Sequence, residues 1–331
     1  MSNFYYNAKA DIESNFTFVM VIGGRGIGKT YSSLSYIAEN LSEEHKFIYL
    51  RRTQTELDLC ASEYSNPFKV INTDFERDIS IKKKKGLGII YEKDKLLGYA
   101  AALSTFANVR GADFSDVDLI LFDEFIPENS VNRMKGEADS FLNLYETVNR
   151  NRELKGKPPV KCILLSNKTH IANPICEALN LVPILERMEV NGQEIYKDRS
   201  RSILIRMPKV TELAEEKAKT ALYRLSGESR FTDHAINNSF AYDSWYNVRK
   251  CNVKEFYPLC AIDDIFIYRH KSRSIFYACR SRADCQEYTT NDTLLYFMRE
   301  WGMILREAFV TGKIYFSEIL IKETLKNLLT S

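Results

Sequence analysis

The chain has 331 residues, of which 45% are apolar and 27% charged, so it can bury a substantial core, and gross disorder is excluded. Its 46 Lys and Arg against 44 Asp and Glu leave a net charge of +2, which excludes a protein that coats nucleic acid by bulk charge while allowing a local basic groove. No apolar run approaches the roughly 18 residues of a membrane helix. The seven cysteines are odd in number and lack CxxC spacing, so neither a disulfide framework nor a zinc site is supported. The expectation is a soluble, cytoplasmic chain with free thiols and no membrane partner.

The length predicts two domains, and the elements divide accordingly. Residues 16–22 form a continuously apolar run that reads as a buried strand. Leu34, Ile37, Ala38 and Leu41 then mark one face of a helix. Further buried strands are predicted at 47–50, 119–122 and 162–165. This alternation argues an α/β fold, a mostly parallel sheet flanked by helices. Residues 79–103, with Gly86-Leu87-Gly88 and Lys93-Asp94-Lys95 as turn signals, predict antiparallel hairpins inserted at a sheet edge. A helix is expected over 211–225, acidic early, basic late and stopped by Gly227. Beyond about Ser244 a smaller α/β unit follows, with a hairpin (265–268 and 275–279) and two closing helices. Ser317 is the expected cap of the last helix, with Ile321, Leu325 and Leu328 facing inward. The domains read as 1–207, a P-loop domain; 208–243, a helical linker or lid; and 244–331, a C-terminal unit.

Gly23-Gly24-Arg25-Gly26-Ile27-Gly28-Lys29-Thr30 fits G-x-x-x-x-G-K-[ST] and lies between the first strand and the first long helix. Its glycines let backbone N–H groups converge on phosphate oxygens of ATP. Lys29 reaches the β- and γ-phosphates, the Thr30 hydroxyl binds Mg²⁺, and the helix directs its positive end at the anion. Downstream, Leu119-Ile120-Leu121-Phe122-Asp123-Glu124 ends a buried strand in two carboxylates. A carboxylate there is costly unless it holds something, and Asp123 is placed to hold Mg²⁺. Glu124 is the candidate base for an attacking water. The adjacent pair separates ATP-hydrolysing motors from small kinases and GTPases. Two rival motifs are set aside. Asn167-Lys168-Thr169-His170 lacks the aspartate of a guanine-reading N-K-x-D, and Leu225-Ser226-Gly227-Glu228 follows Asp123 where a transporter-ATPase signature would precede it.

With arginine inside its phosphate loop, the chain resembles viral DNA-packaging motors, the large-terminase branch of the ASCE (RecA/terminase-like) P-loop ATPases. Ile48-Tyr49-Leu50-Arg51-Arg52, Phe122-Asp123-Glu124-Phe125-Ile126, Leu142-Asn143-Leu144, Thr147, Arg150-Asn151-Arg152-Glu153, Leu165-Ser166-Asn167 and Asn180-Leu181-Val182-Pro183 narrow the likeness. Together they resemble the encapsidation ATPases of phi29-like phages. The likeness is strong to about residue 185, returns weakly around 219–244 and fades in the last ninety or so residues, where only architecture is carried over.

The resemblance implies a homo-oligomeric ring, usually a pentamer, in the host cytoplasm. The ring docks on the portal of a preformed capsid and drives double-stranded DNA inward with ATP and Mg²⁺. It makes Arg150 an arginine finger reaching a neighbouring subunit, although a helix-end arginine with Glu146 one turn back also has a purely structural explanation. It makes Asn167 a sensor of the γ-phosphate, where a strand-end turn residue is the equal alternative; it points Arg25 toward phosphate, otherwise a surface charge; and it suggests adenine contacts from Tyr5, Tyr6 and Asn7, for which core or surface packing serves equally well. The C-terminal unit then resembles an RNase H-like nuclease without its active site, with Asp263, Asp264 and Asp284 as the acids to examine and no cleavage expected. Some relatives also use a structural RNA.

Sites for gripping DNA are the basic hairpin Lys82-Lys83-Lys84-Lys85 and, in the C-terminal unit, Arg269, Lys271, Arg273, Arg280 and Arg282. A lysine run also serves simply as a solvated edge that discourages strand pairing. Arg51 and Arg52 end a strand on the nucleotide side with DNA, a partner or nucleotide as open alternatives. Two other classes remain alongside the packaging motor: a helicase-like or AAA-type remodeller, and a nucleotide-switch scaffold that does not hydrolyse ATP.

Overall fold

The computed structural model describes residues 5–40, 45–62, 64–84, 86–109, 111–127, 134, 136–209, 215–216, 218–226 and 247–330. The chain divides into two compact units, one comprising residues 1–179 and 187–242, the other 180–186 and 243–331.

The first unit is built on a nine-stranded sheet. Its strands are β1 (Phe18–Gly23), β2 (Lys46–Arg51), β3 (Ile79–Lys84), β4 (Leu87–Glu92), β5 (Lys95–Ala102), β6 (Val117–Asp123), β7 (Lys161–Asn167), β8 (Ile195–Asp198) and β9 (Ile203–Arg206). The spatial order is β3-β4-β5-β2-β6-β7-β1-β9-β8. β5, β2, β6, β7, β1 and β9 run parallel, and consecutive residues of β1, β2, β6 and β7 are buried, which explains their near-continuous apolar sequences. β3 and β4 form the expected hairpin at one edge, and β5 returns alongside β4 to lie parallel to β2. β8 closes the other edge antiparallel to β9.

Helix Lys29–Asn40 follows β1 and buries Leu34, Ile37 and Ala38 against the sheet. Helix Gln54–Cys60 follows β2 and opens with a capping box, in which the Thr53 hydroxyl accepts the Glu56 N–H and the Glu56 carboxylate accepts the Thr53 N–H. Helix Glu137–Asn149 lies between β6 and β7 and buries Phe141, Leu144 and Val148.

The continuous helix expected over 211–225 is not what the described part of that stretch shows. A turn at Lys219 and Thr220 precedes a helix Ala221–Ser226, in which Arg224 N–H bonds Thr220 O; Gly227 lies outside the described residues.

The second unit carries a five-stranded sheet in the order β13-β10-β11-β12-β14. Its strands are β10 (Phe256–Ile262), β11 (Ile265–His270), β12 (Phe276–Cys279), β13 (Gln286–Tyr288) and β14 (Ile314–Phe316). β10, β11 and β12 form an antiparallel meander, and a parallel strand is added at each side. Helix Met303–Val310 and helix Ile319–Thr330 supply Leu305, Ala308, Ile321, Leu325 and Leu329 to the core on one face. Ser317 stands too early to cap the last helix; that helix begins at Ile319, and Glu318 provides the carbonyl for the Lys322 N–H.

Candidate nucleotide site

The carboxyl ends of β1, β7, β6 and β2 come together at one edge of the sheet, where parallel α/β proteins hold their ligands. Gly23 is in register with Asn167, and Asp123 with Leu165. β7 thus separates the phosphate-loop strand from the Asp-Glu strand and brings Asn167 between them. The resulting cleft has a volume of about 400 Å³ and is lined by Arg25, Gly26, Gly28, Lys29, Thr30, Tyr31, Asp123, Glu124, Ser166 and Asn167.

Loop geometry follows from its glycines. Gly26 and Gly28 have φ of 71° and 86°, in the left-handed region that side chains disfavour. A Cβ on Gly28 would also meet the Tyr5 ring at 3.4 Å. The loop delivers the chain into helix Lys29–Asn40, whose N-terminus opens on the cleft and favours an anion. Lys29 is 7% exposed, and its Nζ donates to Gly23 O (3.1 Å), Gly24 O (2.8 Å) and the Asn167 Oδ1 (3.1 Å).

The Asp123 carboxylate is buried but not isolated. It accepts hydrogen bonds from the Thr30 hydroxyl (2.9 Å), the Tyr49 hydroxyl (2.9 Å) and Arg51 Nη1 (3.3 Å). Burial, and then the Asp123 charge, push the Tyr49 phenol well above its ordinary range, which keeps it a proton donor. Arg51 also donates from Nη2 to Glu124 Oε2 at 2.6 Å, so one guanidinium spans both acidic residues.

Glu124 itself has φ of 55°, an uncommon conformation for a residue with a side chain. The kink is held from beyond by the Phe125 N–H bonding Leu165 O and by the buried Phe125 and Ile126. Strain of this kind concentrates at functional positions.

The arginine pair therefore resolves. Arg51 holds the two acids that line the cleft, whereas Arg52 makes a bidentate pair with Glu137, at 2.5 and 3.1 Å, with both side chains at least 97% buried (3% and 1% exposed). The sequence leaves Arg51 open and gives no local sign of the roles of Tyr49 and Glu137, because the partners of Arg51, Tyr49 and Glu137 lie 72, 74 and 85 residues away.

Other expected residues fall elsewhere. Tyr6 is buried, its hydroxyl donating to Asp11 and its N–H to Ile27 O, so it anchors the segment beneath the phosphate loop and is not available to stack on a base. Tyr5 stays exposed on the loop, and Asn7 uses its side chain on the Lys9 N–H. Lys168, Thr169 and His170 are buried, with Lys168 paired to Glu189 at 2.7 Å and Thr169 bonded to Pro127 O, as a packed strand end requires.

Arg150 caps the end of helix Glu137–Asn149 with φ of 43°. Its guanidinium lies on Thr147 O and Ala112 O, not on Glu146, whose contact is the backbone bond to Arg150 N–H. Nearby, Arg152 bonds Val117 O and Asp118, which marks this as the amino-terminal edge of β6, opposite Asp123.

Lys82, Lys83 and Lys84 stand exposed on β3, with Lys82 over the Tyr91 ring and Lys83 paired to Asp58; Lys85 lies outside the described residues. In the second unit, Arg269 is exposed, Lys271 lies over the Tyr257 ring and Arg273 lines a small pocket with Arg249, Lys250 and His270. Arg280 is not an unbalanced charge, because Asp264 and Glu318 both pair with it. Asp263 and Asp264 form the two-residue turn between β10 and β11, with Asp263 accepting the Thr290 N–H; Asp284 is exposed. Among the described residues no cluster of three or more His, Cys, Asp or Glu side chains is arranged for a metal, and no helix is long and apolar enough to cross a membrane.

A phosphate loop, its helix, and an Asp-Glu strand separated from it by one additional strand define a P-loop α/β domain of the additional-strand type. Residues 1–264 match the family model of the podovirus DNA encapsidation protein (Gp16), and the chain belongs to that family. It is 32% identical over 250 residues to the DNA packaging protein of Bacillus phage phi29, covering 74% of this chain and 69% of that protein. The crystal structure of the N-terminal domain of the DNA packaging ATPase from bacteriophage phi29 matches at 32% identity with a TM-score of 0.51, covering 63% of this chain and 98% of that domain. A chain of the bacteriophage Phi-29 viral genome packaging motor assembly shares the fold over 99% of both chains, with a TM-score of 0.68 and 24% identity.

Proposed function

We propose that this chain is the ATP-hydrolysing subunit of a motor that packages double-stranded viral DNA into a preformed capsid. The observation that carries the proposal is the convergence of Lys29, Thr30, Asp123, Glu124 and Asn167 on one open cleft. A nucleotide-switch scaffold would need the phosphate loop but not a carboxylate positioned beyond Asp123 at the cleft.

Thr30 and Asp123 present a hydroxyl and a carboxylate 2.9 Å apart at a helix N-terminus, an all-oxygen donor pair that suits a hard divalent cation. Mg²⁺ held there with ATP would neutralise charge on the β- and γ-phosphates. Lys29 re-aims its ammonium from the loop carbonyls to the phosphates, and backbone N–H groups of residues 24–30 orient them. Glu124 accepts a proton from the attacking water once Arg51 releases its carboxylate. Asn167, hydrogen-bonded to Lys29, registers whether a γ-phosphate is present.

Arg150 serves a neighbour's nucleotide. It lies at the opposite sheet edge from Asp123, about 20 Å away by the rise of β6, too far to reach its own cleft. Its exposure, with only two backbone contacts among the described residues, at 3.2 Å (Thr147 O) and 3.4 Å (Ala112 O), leaves the side chain able to swing outward. Such a finger contributes about 10³–10⁵ in turnover. The motor is therefore a homo-oligomeric ring acting at the capsid portal. The first unit hydrolyses ATP, and the second unit contacts nucleic acid or portal through Arg269, Lys271 and Arg273, without cleaving DNA; most of the 208–243 linker expected from the sequence lies outside the described residues.

The test is ATP turnover of the purified chain with and without double-stranded DNA, repeated with Arg150→Ala subunits titrated into wild-type rings. DNA stimulation, and inhibition exceeding the mole fraction of variant, are expected. Activity indifferent to DNA would contradict the motor, and strictly proportional loss would contradict the finger in trans.

A further inference from the structure

β3 is the outer strand of the nine-stranded sheet, and its outward backbone groups can be followed residue by residue. Ile79 turns its N–H and C=O away from β4, and side chains receive them: Asn72 accepts the N–H at 2.9 Å, and Asn72 and Asn66 donate to the C=O at 2.9 and 3.0 Å. Two asparagines thus do for Ile79 what a neighbouring strand would do. Outward direction repeats every second residue in a strand, so Ile81 and Lys83 also present N–H and C=O away from β4. No hydrogen bond from another described residue reaches them. Alongside runs a groove of about 510 Å³, lined by Cys60, Ala61, Ser62, Asn66, Lys69 and Ile81 among others.

Charge selects what fits. Lys69, Lys82 and Lys84 surround this edge with Asp78 as the opposing acid in the groove, while Lys83 is half-neutralised by Asp58 at 2.9 Å. Edge lysines repel unselected apolar strands, and by the same physics they favour a strand that alternates acidic and small apolar side chains. Donors and acceptors alternating along the edge match a polypeptide backbone, whereas a phosphate backbone could use the donors alone.

We propose that the β3 edge at Ile81 and Lys83 is a docking site for an extended acidic segment of a partner protein, added as a further strand and stopped by Asn66 and Asn72. The groove shares no lining residue with the nucleotide cleft.

Three probes test it: an acetylated octapeptide alternating Val and Asp, an octa-aspartate of greater charge but poor strand propensity, and a short DNA duplex. In the wild-type protein, the Ile81 and Lys83 amides should exchange rapidly with deuterium when free. With the Val-Asp peptide they should become protected, while Ser80 and Lys82, already in the ladder with β4, should change little. Lys83→Pro deletes one outward N–H without touching the β4 ladder, as edge strands tolerate, and should weaken peptide binding tenfold or more. Lys82→Glu/Lys84→Glu should weaken it as much. Absence of peptide binding, unchanged amide exchange at Ile81 and Lys83, or loss on charge reversal with Lys83→Pro and the peptide-to-DNA preference both indifferent would overturn the proposal. The last pattern would mark a plain electrostatic patch for nucleic acid.

Discussion

Removing the Glu137 charge should cost far more than a surface salt bridge would. Arg52 and Glu137 face each other with 3% and 1% of their side chains exposed and two short contacts, so neither charge has water to turn to. Breaking such a pair from one side typically costs 3–5 kcal/mol, roughly, because the surviving ion stays buried. Glu137→Gln, which preserves shape and one acceptor, is expected at the lower end, about 3 kcal/mol. Arg52→Met/Glu137→Leu removes both charges and should return to within about 1 kcal/mol of wild type. Urea unfolding followed by circular dichroism, with the slope checked for constancy, measures both. A single variant costing under ~1 kcal/mol, or a double variant as damaged as the single, would refute the assignment of this pair as a desolvated structural clamp. The clamp also fixes the start of the helix that ends at Arg150 and the strand end that carries Arg51. Turnover should therefore fall more than nucleotide affinity.

Three further outcomes are expected. Glu186, in the second unit, is pushed up to about 7 by burial and then by the nearby Glu318, opposed by the Ile319 N–H and Lys250. A raised carboxyl stabilises the fold fully below the ordinary carboxylate range and loses that contribution as pH rises through about 7. Between pH 5 and 8 this half-buried group should cost the second unit on the order of 1 kcal/mol, and Glu186→Gln should flatten the dependence seen in melts followed by tryptophan fluorescence. Of the seven cysteines, Cys251 and Cys285 are only partly buried and should react first with a thiol reagent at pH 8, while Cys162, Cys176, Cys260 and Cys279 should follow only on unfolding; a fast-reacting Cys162 or Cys176 would contradict the packing. Arg51→Met should tighten Mn²⁺ binding at Asp123 and Glu124 without nucleotide, read by paramagnetic resonance, since a competing cation is removed. Weaker binding would mean that Arg51 shapes the site more than it competes for it.

How much was legible in the sequence depended on how local each determinant is. The phosphate loop reads directly because its glycines, lysine and threonine act within one turn of chain. The parallel strands read from continuous apolar runs, and the 79–103 hairpin from its turn residues. Tyr49, Arg51 and Glu137 were hidden because their chemistry arises only when β2, β6 and the following helix are laid side by side. Tyr6 stayed open for a related reason: a tyrosine beside a phosphate loop is as consistent with packing as with stacking, and Asp11 and Arg206 decide for packing. Arg280 looked like part of a basic face because the acids that neutralise it, Asp264 and Glu318, come from a turn and a distant helix start. The grouping of residues 180–186 with the second unit leaves no trace in composition.

The claim on which the rest depends is that this cleft hydrolyses ATP with Glu124 as base. It is tested most directly by comparing wild type and Glu124→Gln for binding of a fluorescent ATP analogue and for steady-state phosphate release in the presence of double-stranded DNA. The account predicts binding within a few-fold of wild type and phosphate release reduced by about 10²–10⁴. Phosphate release that survives the substitution, or is lost only because the nucleotide no longer binds, would contradict it.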